Sequence, residues 1–351
     1  MLDIDKLGWR PFFQQQLNTQ ELAVCYPVRI AQIHRNHCVL WSDRGERRLA
    51  IGVFPEPGDL AVGDWLLMPA SGERPVRRLV RQTTLARKES GHGTAEQLIA
   101  ANVDILFIVT SCNEDFNLAR IERYLALASG AGVTPVIILT KSDLVDDVTP
   151  FMTAARPLHP EVAIECIDAR DAAQLARLRP WCSTGKTVAL VGSSGVGKST
   201  LINNLAEAGQ ATAAARAGDN KGRHTTTSRS LHHLKDGGLL VDTPGMREFQ
   251  LAAGALNIED AFAEISALLG HCKFNDCRHQ GEAGCAIQAA IATGALDARR
   301  WRSYLTLRAE QRSVRPATAA MAGNDRSTGP RPKPVRNGPR PPRQTDEDEH
   351  E

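Results

Sequence analysis

GSSGVGKS, running from Gly192 to Ser199, follows TKSD, Thr140 to Asp143, along this chain. The first segment satisfies GxxxxGK[ST]. The β-rich run TVALV enters it and a helix-period segment leaves it, the setting in which that pattern carries meaning. Its glycines let backbone N–H groups turn inward around phosphate oxygens, and the helix N-terminus beyond adds its positive dipole end. Gly192, Ser193, Ser194, Gly195, Val196, Gly197, Lys198, Ser199 and Thr200 are therefore the expected phosphate contacts. Lys198 should reach the β- and γ-phosphates, and the Ser199 hydroxyl should hold Mg²⁺.

Downstream, GLLVDTPG sets Asp242 at the end of a strand and Gly245 three residues later. In this DxxG pattern the carboxylate holds Mg²⁺ through its water shell, and the Gly245 N–H senses the γ-phosphate. TKSD supplies the choice of base. The Asp143 carboxylate can accept hydrogen bonds from guanine N1–H and its exocyclic amine, donors that adenine lacks there. Lys141 can lay its methylene stem along the base, and Ser142 completes the loop. Thr140 stands where the usual pattern has Asn, so the carboxamide that reads guanine and braces the loop is missing. Taken alone, TKSD is also a good helix cap after a strand.

Phosphate loops come first and base loops last in an ordinary GTPase domain. The reversed order here predicts a circularly permuted one. Between the phosphate loop and DxxG lies GDNKGRHTTTSR, Gly218 to Arg229, where a first switch belongs. Thr225–Thr227 supply its Mg²⁺ ligand, with Thr226 taken as the candidate. Met246 follows DxxG, where many GTPases carry a water-positioning Gln, so slow intrinsic hydrolysis is expected. His224 is either the group that positions water instead or an ordinary surface histidine.

Outward from this core the pattern changes twice. VRIAQI, HCVLWS, RRLAIGVF and DWLLMP read as short strands between turn signals, which suggests a small OB-fold β-barrel. DILFIVT, TPVIILT, VAIECI, TVALVG and GLLVD are apolar and β-rich, with helix-period stretches at 118–130 and 199–208, as in a doubly wound parallel sheet. Beyond residue 254 the chain reads as helices. The expectation is a multidomain chain: an N-terminal segment and OB-fold barrel with a basic linker at 1–85, and an α/β circularly permuted P-loop GTPase domain at 86–254. A helical zinc-binding domain at 255–312 and a tail at 313–351 complete it. The tail holds seven Pro and seven Lys or Arg and almost no bulky apolar residue, so it cannot bury a core. It is a solvated segment or an arm attracted to RNA.

Cys272, Cys277, His279 and Cys285 offer three thiolates and an imidazole within one short stretch, a complete tetrahedral zinc set with no position left for water. One structural zinc is expected. The scattered Cys25, Cys38, Cys112, Cys166 and Cys182 read as buried thiols. Arg74, Arg77, Arg78, Arg81, Arg87 and Lys88 crowd one stretch, either a solvated linker or a phosphate-neutralising patch. With 42% hydrophobic and 23% charged residues the composition is that of an ordinary globular chain. No apolar run is long enough for a membrane helix and no signal peptide is visible, so no membrane partner and a cytoplasmic monomer are expected.

These residues together resemble the bacterial small-subunit-dependent, circularly permuted GTPases of ribosome biogenesis. EQLIAANVD, TKSD, GSSGVGKSTL, GRHTTT, DTPG and CxxxxCxH…C carry the resemblance, which covers about 28–310. It implies an OB-fold N-domain and a zinc-bearing C-domain that contact the small ribosomal subunit around its decoding region. It also implies GTP hydrolysis to GDP and phosphate, stimulated by that subunit during its late maturation, with ribosome assembly factors as further partners. The family's proposed catalytic histidine falls on His224. The tail inherits nothing from the resemblance. Two other readings stand beside it: a guanine-nucleotide switch acting on a non-ribosomal protein through its zinc module, and an ATPase in which TKSD is fortuitous.

Overall fold

The computed structural model describes residues 3–54, 56–88, 96–206, 229–242 and 256–314. Its centre is a parallel sheet built from β8 (Ile105–Ser111), β9 (Thr134–Thr140), β10 (Ala163–Cys166), β11 (Thr187–Val191) and β13 (Leu239–Asp242). Every residue of β8 and β11 is buried, because helices and loops cover both faces of such a sheet. The spatial order is β10-β9-β8-β11-β13, closed by antiparallel β12 (Arg229–His233). The strand that feeds the phosphate loop therefore sits in the middle of the sheet although it comes late in the chain. That is the permuted order the motifs predict. Pairing of Ser111 with Thr140, Cys166 with Leu139 and Val191 with Ile108 aligns the C-terminal strand ends along one edge.

The N-terminal strands are β1 (Cys25–Ile33), β2 (His37–Ser42), β3 (Gly45–Ala50), β4 (Trp65–Pro69) and β5 (Arg77–Arg78). They pair antiparallel in the order β5-β4-β1-β2-β3, with no β3–β5 ladder among the described residues. Alternate residues Val28, Ile30, Cys38, Leu40, Leu66 and Met68 form an inner core of their own. The opposite face, with Val39, Trp41, Trp65 and Leu67, packs into the main core of the molecule. One edge of β1 is shared: β4 occupies its first half, and β12 pairs beyond it through Gln32–Ser230 and Ile33–Arg229. The two sheets are thereby one hydrogen-bonded surface, which alternation patterns within each strand do not reveal.

Arg29 lies in that junction, 1% exposed. Its guanidinium donates to the carbonyls of Leu7 (2.5 Å), Gly63 (3.2 Å) and Asn102 (3.0 Å) and to the Thr187 hydroxyl (2.9 Å) at the start of β11. Burial pulls it down to about 10 against the fields of Asp104 and Asp64, so it stays charged at neutral pH.

The basic stretch is not a free linker. It contributes β5 and β6 (Thr84–Lys88), the latter paired with β7 (Glu96–Ala101). Arg77 bonds Glu21 at 2.7 Å, Arg78 pairs with Asp59, and Arg81 bonds Asp64 at 2.6 Å. Three of the six cations singled out as a phosphate-neutralising patch are thus matched internally, while Arg74 is exposed. Two short N-terminal helices, α1 (Pro11–Gln14) and α2 (Thr19–Val24), are absent from the sequence reading. Asn18 and Glu21 cap α2 reciprocally.

Helix α3 (Leu118–Ala131) follows β8, α4 (Thr149–Ala155) and α5 (Ala172–Leu175) flank β10, and α6 (Lys198–Leu205) leaves the phosphate loop. The C-terminal helices are α7 (Ile258–Ala261), α8 (Ala263–Leu268), α9 (Ala286–Ala292) and α10 (Ala298–Val314). They pack on α3 through Phe262, Ile265, Tyr304 and Leu307. Glu122 of α3, fully buried, pairs there with Arg299 and Arg300, each at 3.1 Å.

Candidate functional site

The phosphate loop leaves β11 at Gly192, whose φ of 147° and neighbours demand glycine: an added Cβ would stand 2.1 Å from the Val109 carbonyl oxygen. Gly197, at φ 96°, caps α6. Lys198 donates to the carbonyls of Gly192 (2.7 Å) and Ser193, which holds its ammonium over the loop. Ser199 is exposed in the first turn of α6. Asp242 ends β13, which neighbours β11 in the sheet, so the carboxylate assigned to Mg²⁺ arrives at the same edge.

Thr140 ends β9 at that edge and is fully buried. Its hydroxyl lies 2.5 Å from the Val196 carbonyl and donates to it, with the Thr110 carbonyl at 3.1 Å. Although the carboxamide is missing, this threonine hydroxyl ties the TKSD loop to the GSSGVGKS loop. Lys141 takes the left-handed conformation at φ 58°, and Ser142–Leu144 form a single tight turn.

Asp143 bonds Arg170 at 2.6 Å, and Arg170 also bonds Asp168 at 3.1 Å. Hydrogen bonds from Arg170 hold the Asp168 carboxyl below its ordinary range. The loop 168–170 follows β10 and sets Arg170 against Asp143 of TKSD. Sequence reading missed it. The available signal was a strand, VAIECI, ending at the same edge as TKSD. A second group it missed is Asp115, which bonds Ser193 and Arg120. Partial burial pushes its carboxyl up, but the Ser193 hydroxyl, Arg120 and the Lys141 charge outweigh this and leave it below its ordinary range.

Cys272, Cys277, His279 and Cys285 converge in a separate cluster, with all four ligand atoms within 4.8 Å of one another. His279 Nδ1 lies 3.4, 3.7 and 3.4 Å from the sulfurs of Cys272, Cys277 and Cys285. Bonds of about 2.3 Å to sulfur and 2.0 Å to nitrogen in a tetrahedron require S···N separations of about 3.5 Å, so the set fits such an ion. His279 reaches it from a left-handed backbone, φ 61°. Glu282 accepts from the N–H groups of Arg278 (2.9 Å) and Gln280 (2.6 Å), shaping the turn. Gln288 donates to the His279 carbonyl (2.9 Å), and the Ala286 N–H points at Cys272 Sγ (3.4 Å). Of the other cysteines, Cys38, Cys112, Cys166 and Cys182 are buried and Cys25 is half-buried.

His224, Thr226 and Gly245, assigned to catalysis, Mg²⁺ and γ-phosphate sensing, lie outside the described residues, as do Thr225, Thr227, Met246 and the tail from 315 onward. Among the described residues no helix is long and apolar enough to cross a membrane.

Residues 78–252 match the family described as RsgA GTPase. The chain is 48% identical over 309 residues to a Vibrio vulnificus protein named small ribosomal subunit biogenesis GTPase RsgA 2, covering 88% of each chain. It is 47% identical over 321 residues to a Mesorhizobium japonicum protein named small ribosomal subunit biogenesis GTPase RsgA, covering 90% of this chain and 92% of that one. Among solved structures, YjeQ from Thermotoga maritima superposes with a TM-score of 0.59 at 22% identity, covering 82% of this chain and 99% of the other. YloQ, described as a circularly permuted GTPase, gives 0.58 at 22%, covering 83% and 96%. Identity near one half across almost all of two chains agrees with the permuted strand order seen in the sheet, and this chain belongs to the RsgA GTPase family.

Proposed function

We propose that this GTPase acts on the small ribosomal subunit during its late maturation and hydrolyses GTP under stimulation by that subunit. One observation carries the nucleotide part of the reading: the Thr140 hydroxyl on the Val196 carbonyl joins the base loop to the phosphate loop at one sheet edge. Asp143 and Lys141 hold the guanine, with Thr140 and Ser142 shaping their loop. Gly192–Thr200 surround the phosphates, and Gly245 reports the third one. Ser199, Thr226 and Asp242 would hold Mg²⁺, which supplies neutralisation of phosphate charge. His224 orients the attacking water. Its imidazole can do so by accepting a proton in a hydrogen bond, which Met246 cannot.

The Cys₃His cluster would hold one structural zinc, which ties 272–285 to α9 and α10. The organisation into barrel, permuted domain, zinc module and tail accompanies this reading, with the rRNA of the subunit and its assembly factors as partners in the cytoplasm and the protein acting as a monomer. The relatives named for small-subunit biogenesis support the ribosomal part.

The test is GTP turnover by the full chain with and without purified small subunits, with ATP as competitor. Stimulation by subunits, with GTP but not ATP displacing labelled GDP, is expected. No stimulation would shift the reading to a protein partner recruited through the zinc module, and equal competition by ATP would end the guanine assignment.

A further inference from the structure

Three of the eight residues in GSSGVGKS are glycines with positive φ, so the free loop has much conformational freedom to lose when it closes on phosphate. Anchoring it in advance lowers that cost. One anchor is the Val196 carbonyl under Thr140. A second stands at Ser193, and the residues that hold it, Asp115 and Arg120, belong to none of the motifs. The Ser193 hydroxyl donates to Asp115 Oδ2 at 2.5 Å, and Arg120 Nη1 donates to the Ser193 oxygen. The same nitrogen reaches both carboxylate oxygens of Asp115 at 3.1 Å.

The clamp is itself held in place. The Asn113 side chain accepts from the Ser111 hydroxyl (2.7 Å) and the Asp115 N–H (3.0 Å), which fixes the turn after β8. Asn117 caps α3 by accepting from the Arg120 N–H (3.0 Å). Behind them Ile121, Tyr124 and Leu125 are buried in the main core, so α3 is a rigid base. An uncompensated carboxylate beside a phosphate loop would repel a nucleotide. Paired with Arg120, Asp115 grips Ser193 without that penalty.

We propose that Asp115 and Arg120 are positioning residues that preorganise the phosphate loop through Ser193, setting the affinity for guanosine di- and triphosphate alike. This rests on the reading that Gly192–Ser199 holds nucleotide phosphate. Because the clamp acts on the loop and not on the transferred group, its loss weakens GDP and GTP in parallel and preserves their ratio.

The experiment measures Kd for GDP and a non-hydrolysable GTP analogue by calorimetry on the full chain and its Arg120→Ala, Asp115→Ala, double and Arg120→Lys variants. Each single alanine should weaken both nucleotides about fivefold to tenfold. The double variant should be no weaker than the worse single one, and Arg120→Lys should recover part of the loss. Should Arg120→Ala melt too low to assay, Asp115→Asn carries the same test without touching α3. Unchanged affinities or additive losses would overturn the clamp. So would loss confined to the triphosphate, since Arg120 would then be a direct phosphate ligand. Lys198→Ala, run in parallel, separates the two readings. Loss of nucleotide there, with intact binding in the clamp variants, rejects the clamp alone. Normal binding by Lys198→Ala rejects the phosphate-loop assignment.

Discussion

At the scale of single residues, Thr140 is the most instructive. The sequence shows a missing carboxamide, and the fold shows a hydroxyl that performs the bracing because β9 delivers it directly under Val196. Thr140→Val keeps the shape and removes the bond, leaving a buried carbonyl with a poorer set of partners. A loss of about fivefold to tenfold in GDP and GTP affinity is expected from calorimetry. Unchanged affinity would show that the bond does not support the site. Cys277 sits in a ligand set whose spacing matches a tetrahedral ion. Cys277→Ala should purify with less than stoichiometric zinc by elemental analysis, and its C-terminal helices should melt earlier. A full complement of metal would remove Cys277 from the ligand set. Each of these residues was found by its chemical type. What each one touches was not legible, because Val196 and Thr140 are far apart in sequence and meet only through strand register.

At the scale of elements, α2 depends on a contact that sequence patterning does not register. Hydrogen bonds from Arg77, and then the Asn18 N–H, lower the Glu21 carboxyl to about 2. Its folded value lies below the ordinary Glu value of about 4.3. The contact therefore contributes fully above that pH and is lost as pH falls toward about 2. Between those limits, the amide protection factors of 19–24, taken relative to the intrinsic rate at each pH, should fall in the native protein, whereas Glu21→Gln should show the lower protection already at neutral pH. Identical protection in the two proteins would contradict the assignment.

Strands whose both faces are buried were legible, since β8, β9 and β11 are apolar runs ended by turn residues. β5 was not, because Arg77 and Arg78 make internal ion pairs and look like solvated residues until their partners are located; β6 and β7 are fixed by their pairing with each other. β12 was missed for a related reason. RSLHH has a weak pattern, and its place is fixed by pairing with β13 on one side and β1 on the other.

At the scale of the whole molecule, two buried charged residues join parts that the sequence separates. Arg29 fastens the N-terminal antiparallel strands to the start of β11, whose other end opens into the phosphate loop. Glu122 fastens α3 to the C-terminal helices, two positions beyond the arginine that grips the loop. Removing one partner of such a buried group strands the others. Glu122→Ala should therefore cost about 3–5 kcal/mol in urea unfolding, with the C-terminal helices released first. A cost below about 1 kcal/mol would mean that the apolar contacts of Phe262 and Tyr304 hold the interface alone.

The sequence by itself determined the GTPase class, the permuted order and the Cys₃His cluster, because these rest on residue types at short fixed spacings that local backbone geometry converts directly into a site. The tertiary structure decided what braces those sites and how the parts join. Thr140 on Val196, Asp115 and Arg120 on Ser193, Arg170 on Asp143, and β1 on β12 are all long-range pairings. They are set by strand register and core packing, and no local spacing encodes them.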